Sequence, residues 1–213
     1  MKELNPRQMS SFTNNKAVIE LINKLAPSEP GKGSHLHATE GKKSLVGINV
    51  VNYQAEPSVF VEENLSPSQV KELYNEAIMK RANYKFSGNG QKIFGEPDQN
   101  GLSIVRTIQI YRQTSFVGRD GKTIVKTYPW TVKIQNGKGK KEGTGTGGYS
   151  CAEGTFKVEK EAAINLSDGD FFALFEKAYT YITAWERYYT DYFIKHNEKK
   201  IKEMEEAYRN SNS

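Results

Sequence analysis

The stretch Ala163-Ile164-Asn165-Leu166-Ser167-Asp168-Gly169-Asp170-Phe171-Phe172-Ala173-Leu174-Phe175 runs from the end of a strand straight into a capped, aromatic-rich helix. Ser167 carries the side-chain oxygen that an N-cap needs, Asp170 stands three residues on where it can answer that serine, and Asp168 suits the first turn. Earlier in the chain, Glu63-Asn64-Leu65-Ser66-Pro67-Ser68-Gln69-Val70-Lys71-Glu72-Leu73-Tyr74 repeats the same grammar, and the tripeptide Asn-Leu-Ser is identical in the two places. Aligning the serines superposes Val70 on Phe171, Leu73 on Leu174, Tyr74 on Phe175 and Ala77 on Ala178, one face of a helix twice over. The expectation is an α+β fold made of duplicated antiparallel strands-then-helix units.

Outward from these two junctions, β-rich runs at 44–53 and 58–62 predict a hairpin, and so a first unit over 44–83 with two strands and a helix from 67 to 83. The second unit, 84–186, opens with short runs at 84–86 and 92–94 around a Ser-Gly-Asn-Gly turn. Residues 102–113 alternate, with Leu102, Ile104, Ile108 and Ile110 on one face and Val105, Thr107, Gln109 and Tyr111 on the other. Gly118-Arg119-Asp120-Gly121-Lys122 predicts a hairpin turn and 124–135 the return strand, with Tyr128, Trp130, Val132 and Ile134 on one face and Thr127, Thr131, Lys133 and Gln135 on the other. Residues 136–149 read as a long Gly- and Lys-rich loop, and 155–166 as the last strand. A helix begins at Asp168 and meets no breaker before Asn210, so its charged second half, 187–213, forms an extension beyond the domain. At the other end, 1–15 read as a polar tail, the 18/22/25 spacing of Val18, Ile22 and Leu25 predicts an amphipathic helix over 16–25, and 26–43 a flexible arm. The domain expected between these ends is 44–186.

The chain has 213 residues, 37% of them hydrophobic and 26% charged, with a net charge of +5. It lacks an apolar run of membrane-spanning length and the start lacks a signal peptide's apolar core, so a cytoplasmic, non-membrane protein is expected. One cysteine, Cys151, precludes an intramolecular disulfide. The positive charge is segregated in sequence: residues 102–141 hold nine basic side chains against Asp120 alone, a net +8, which leaves −3 for the rest. Such a footprint on a sheet is that of a polyanion binder.

Catalysis is not expected. Gly121-Lys122-Thr123 has Phe116 where a phosphate loop needs glycine, and it sits in a hairpin. His35 and His37 lie in the arm and His196 in the charged helix, with no metal-ligating cluster around them. What remains is a sheet with an apolar face and a face of Lys, Gln, Asn, Thr and Tyr, the parts with which proteins hold unpaired nucleic acid. Candidate contacts are Gln109, Tyr111, Lys126, Lys133 and Gln135 in the second unit, Asn49 and Tyr53 in the first, and Lys138, Lys140 and Lys141 closing over the strand from the loop. A protein-interaction module, such as a phage inhibitor or assembly adaptor using the basic sheet and long helix, is the alternative.

The order strands, helix, strands, helix, with the second unit closing as Phe156-Lys157-Val158, then Ala163 through Phe171, Leu174, Ala178-Tyr179, Ile182 and Trp185-Glu186, resembles the Whirly-type single-stranded DNA-binding proteins and the related transcriptional-coactivator fold over about 44–186. The resemblance implies binding of single-stranded DNA, in preference to RNA, with little sequence specificity. It also implies homo-oligomerisation through the helices and no cofactor.

Overall fold

The computed structural model describes residues 5–26, 44–80, 82–88, 90–145 and 147–211, the side chain of residue 193 excepted. The flexible arm expected at 26–43, with His35 and His37, lies outside the described residues apart from Ala26.

Both serines cap their helices. Helix α1 (Pro67–Met79) starts with a full capping box: the Gln69 N–H donates to Ser66 Oγ at 3.1 Å and the Ser66 N–H to Gln69 Oε1 at 3.0 Å. Helix α2 (Asp168–Ser211) starts differently, because the Asp170 N–H donates to Ser167 Oγ while that hydroxyl donates back to the Asp170 carboxylate. The aligned residues Val70, Leu73 and Ala77 are buried, as are Phe171, Leu174 and Ala178.

The first sheet has four strands where the sequence promised two. β1 (Gln8–Thr13), β2 (Ala17–Lys24), β3 (Leu45–Asn52) and β4 (Val59–Leu65) form an antiparallel meander in that order. The expected helix over 16–25 is therefore corrected to a strand, and the polar tail to an edge strand. Ala17, Ile19 and Leu21 alternate into the core, and the β-branched Val18, Ile19 and Ile22 favour extended backbone over a helix too short to stand alone. β1 is fixed from outside its ladder, where the Ser10 hydroxyl donates to the Leu174 carbonyl of α2 at 2.9 Å.

β5 (Gly90–Phe94), β6 (Ser103–Arg112), β7 (Ser115–Val117), β8 (Thr123–Val125), β9 (Trp130–Gly139), β10 (Lys141–Gly143), β11 (Tyr149–Cys151) and β12 (Lys157–Leu166) complete the strands. The second sheet is antiparallel in the order β12-β9-β6-β5, while β7–β8 and β10–β11 are two-stranded ribbons. The return strand expected over 124–135 is interrupted after Val125 and resumes at Trp130, beyond Pro129, which has no N–H to give a ladder. The long loop expected at 136–149 is largely strand: β9 runs to Gly139, and β10 turns back through β11. That ribbon folds over the end of the sheet at Gly139, where a Cβ would collide with Cys151 Sγ. The run 84–86 does not pair with β5; it extends the same edge of β6, with the Phe86 N–H on the Ile110 carbonyl and the Arg112 N–H on the Tyr84 carbonyl.

The apolar faces of both sheets meet in one core, with β12 lying against β2, β3 and β4. β4 is an edge strand, yet its backbone is answered by side chains of the second sheet. The Asn136 amide accepts from the Glu62 N–H at 3.1 Å and donates to the Glu62 carbonyl at 2.9 Å, as a neighbouring strand would. Lys92 donates to the Asn64 carbonyl at 2.6 Å. These bonds protect an otherwise open edge.

At the start of α2, Trp130 stacks on Phe171 with ring centroids 3.6 Å apart and donates its indole N–H to Asp168 Oδ1 at 2.7 Å. Arg112, the cross-strand partner of Trp130, forks onto both oxygens of Asp168 at 2.8 and 2.9 Å. One carboxylate thus ties β6, β9 and α2 together. The two helices meet through Tyr74 on Tyr179 and through the Lys71–Glu186 ion pair. Among the described side chains, the last fully buried one of α2 is Ile182. No described helix is long and apolar enough to cross a membrane.

Candidate nucleic-acid interface

Register places Gln109 opposite Lys133, Tyr111 opposite Thr131, and Thr107 opposite Gln135, so all six share the face of the second sheet turned away from Ile108, Ile110, Val132 and Ile134. Four sequence-predicted residues, Gln109, Tyr111, Lys133 and Gln135, are therefore brought together. The face is open at this end because the β6 edge is paired discontinuously. β5 covers 104–108, Lys85 bridges to Tyr111, and Ser87 and Gly88 turn away from the ladder. The gap forms a groove of about 650 Å³, lined by Lys85, Gln91, Thr107, Gln109, Tyr111 and Gln135 among others. Lys85 and Gln91 were not singled out in the sequence. Their short runs, 84–86 and 90–94, carry too few residues to show which of their faces joins the sheet.

The remaining predicted residues lie elsewhere. Lys138 is on β9 but on the opposite face, across from Ile104, and its ammonium binds Asp98 at 2.7 Å. Lys140 is exposed, and Lys141, on β10, donates to the Gly95 carbonyl at 3.1 Å and lies over the Tyr149 ring at 4.3 Å. The lid expected from a loop is thus part of a strand and a folded ribbon. Lys126 donates to Gln113 at 3.0 Å and lies over the Phe116 ring at 5.9 Å. Asn49 and Tyr53 belong to the first sheet, where the cross-strand neighbours of Asn49 are Glu20 and Glu62.

Four of the nine basic residues in the positive window are paired with acids from outside it. Arg106 pairs with Glu62 at 2.7 Å, Arg112 with Asp168, Lys133 with Glu161 at 3.0 Å and Lys138 with Asp98. The Lys133 ammonium, with the Gln135 amide behind it, holds the Glu161 carboxyl below its ordinary range despite partial burial. Burial pushes Glu62 upward, but Lys24 and Arg106 overcome that and leave it lowered. Charge spacing along a sequence cannot show this, since the partner acids come from other elements: Glu62 from β4, Glu161 from β12, Asp168 from α2 and Asp98 from the β5–β6 connection. Lys85, Lys126, Lys140 and Lys141 have no carboxylate partner among the described residues.

No protein-family model matches this chain. No curated protein matches it either. Among solved structures it is similar to that of the plant transcriptional regulator PBF-2, with a TM-score of 0.41 and 10% identity over 85% of each chain. That likeness is a distant one.

Proposed function

We propose that this is a non-catalytic single-stranded nucleic-acid-binding protein that holds the strand on the polar face of its second sheet. The observation that carries the reading is the convergence of Gln109, Tyr111, Lys133 and Gln135 on one face beside an open groove. Tyr111 offers a ring for an unpaired base, the amides offer donors and acceptors, and Lys133, once it leaves Glu161, reaches a phosphate. Lys126 and Lys141 stand on ribbons at opposite ends of the sheet, each beside an aromatic ring, and extend the same chemistry beyond the groove. DNA in preference to RNA, cytoplasmic residence and homo-oligomerisation through the helices belong to this reading. So does descent of the two strands-then-helix units from one Whirly-like unit, supported by the matching caps and buried positions.

The reading is tested by titrating labelled oligo-dT against Lys133→Ala and Tyr111→Ala. Each substitution is expected to weaken binding by about tenfold, and unchanged affinity in both would overturn the assignment of this face.

One observation favours a second reading, the protein-interaction adaptor. The β7–β8 ribbon exposes Phe116, Val117, Ile124 and Val125, from 42% to 78%, on both of its sides. An adaptor would use that ribbon on a protein partner, and Val117→Asp with Val125→Asp would then abolish partner capture while oligonucleotides failed to bind at all.

A further inference from the structure

Building on the proposed strand-binding reading, we infer that the groove beside Tyr111 is a nucleobase pocket that accepts the Watson–Crick edge of any unpaired base and rejects a paired one. At its base, the Thr107 side chain is buried. Its polar groups are almost all uncharged. Gln135 is fixed in place, accepting from the Thr107 hydroxyl at 3.2 Å and donating to Glu161 at 2.5 Å. Gln91 and Gln109 are exposed, and their side-chain amides make no hydrogen bond within the described residues. A carboxamide presents a donor beside an acceptor. Every base carries the same complement on its Watson–Crick edge, so amides in this place match all four. A base pair has already used that edge. Hydrogen bonds made against a buried floor are stronger than those made in water. Tyr111 supplies a ring along one wall, and Lys85, bridged to Tyr111 and without a carboxylate partner among the described residues, supplies a cation at the rim for the attached phosphate. The groove, about 650 Å³, is within the range of small-molecule sites.

The pocket makes binding dependent on bases yet indifferent to their identity, which a surface that grips phosphates alone would not be. The test compares three strands of equal length with the full chain: oligo-dT, oligo-dC, and a strand whose residues are abasic tetrahydrofuran units with the same phosphates. Oligo-dT and oligo-dC are expected to bind within about threefold of each other, and the abasic strand more weakly by about tenfold or more, with a similar salt slope. Gln91→Leu with Gln109→Leu is expected to shrink the abasic penalty severalfold. Should that variant fold poorly, thymidine and cytidine monophosphates added to the unaltered protein should shift the Gln91 and Gln109 side-chain amide resonances. Equal affinity for abasic and natural strands, or resonances that do not move, would overturn the pocket while leaving strand binding intact. A dT-to-dC ratio beyond about tenfold would replace indifference with selectivity and overturn it too. Failure of all three strands to bind would instead overturn the underlying reading.

Discussion

Lys133 reaches the polar face already bound to Glu161, so a phosphate must displace a carboxylate to reach it. Glu161→Gln removes that competitor and keeps the shape of the side chain. Affinity for oligo-dT is expected to rise by about fivefold, the equivalent of a surface pair worth ~1 kcal/mol, and an unchanged or weaker affinity in anisotropy titrations would place Lys133 outside the interface. Because Lys133 lowers the Glu161 carboxyl, the acid stays ionised through the neutral range. The competition therefore persists there and ends only as the pH falls below the ordinary value of 4.5. Asp168 is the residue on which most converges, holding the Arg112 guanidinium and the Trp130 indole together. Asp168→Ala leaves the largely buried Arg112 without this carboxylate, and the cost expected from urea unfolding is about 3–5 kcal/mol. A loss well under 1 kcal/mol would show that solvent replaces the carboxylate without penalty. The role of Ser66 and Ser167 as caps was legible in the sequence, because a cap is local and its partner lies three residues away. Glu161, Asp98 and Glu62 as partners of the basic window were not, because nothing in the spacing joins strands so far apart.

Strand β2 shows where element-level reading divides. Val18, Ile22 and Leu25 satisfy a helical spacing, while Ala17, Ile19 and Leu21 satisfy a strand's alternation, and a run of eight residues fits both periods. The decision belongs to β3, which pairs with it along its whole length, and to β1, which pairs with its residues 18–22. Longer elements were legible as elements: β6 runs through ten residues, although only Ile108 and Ile110 face the core as expected while Ile104 is exposed and Val105 buried, and α2 extends through 44 without a breaker. The groove was not legible, since it arises from an interruption in the pairing of β6 rather than from any motif. The outer part of α2 lies beyond the buried residues that end at Ile182, and the helix spans about 66 Å for its 44 residues. Truncation after Thr190 keeps Ile182 and the Lys71–Glu186 pair. It is expected to change unfolding free energy by less than about 1 kcal/mol in urea titrations. A larger loss would mean that the extension stabilises the folded domain, for instance by pairing with another copy.

For the whole molecule, one core serves two sheets and two helices, and the sheets are joined at β4 by charged and amide side chains. Glu62 is the centre of that junction, pairing with Lys24 at 3.2 Å and Arg106 at 2.7 Å. Its carboxyl is lowered in the folded chain, so its contribution to stability is full above its ordinary value of 4.5 and is lost as the pH falls through the folded value. Thermal unfolding is expected to hold level from pH 8 to about 5 and to fall at lower pH, and Glu62→Gln should flatten that fall. A fall of the same size in the variant would assign it to other carboxylates. With four of the nine basic residues of the positive window paired to acids outside it, binding rests on the remaining cations and on base contacts. The most direct test of this account is the anisotropy of labelled oligo-dT of about thirty nucleotides against the matching duplex over a salt series. Binding to the single strand alone is expected, with log affinity falling by about 2 to 3 for each log unit of salt, as three or four phosphate contacts require. Equal binding to the duplex, or none to either strand form, would contradict it.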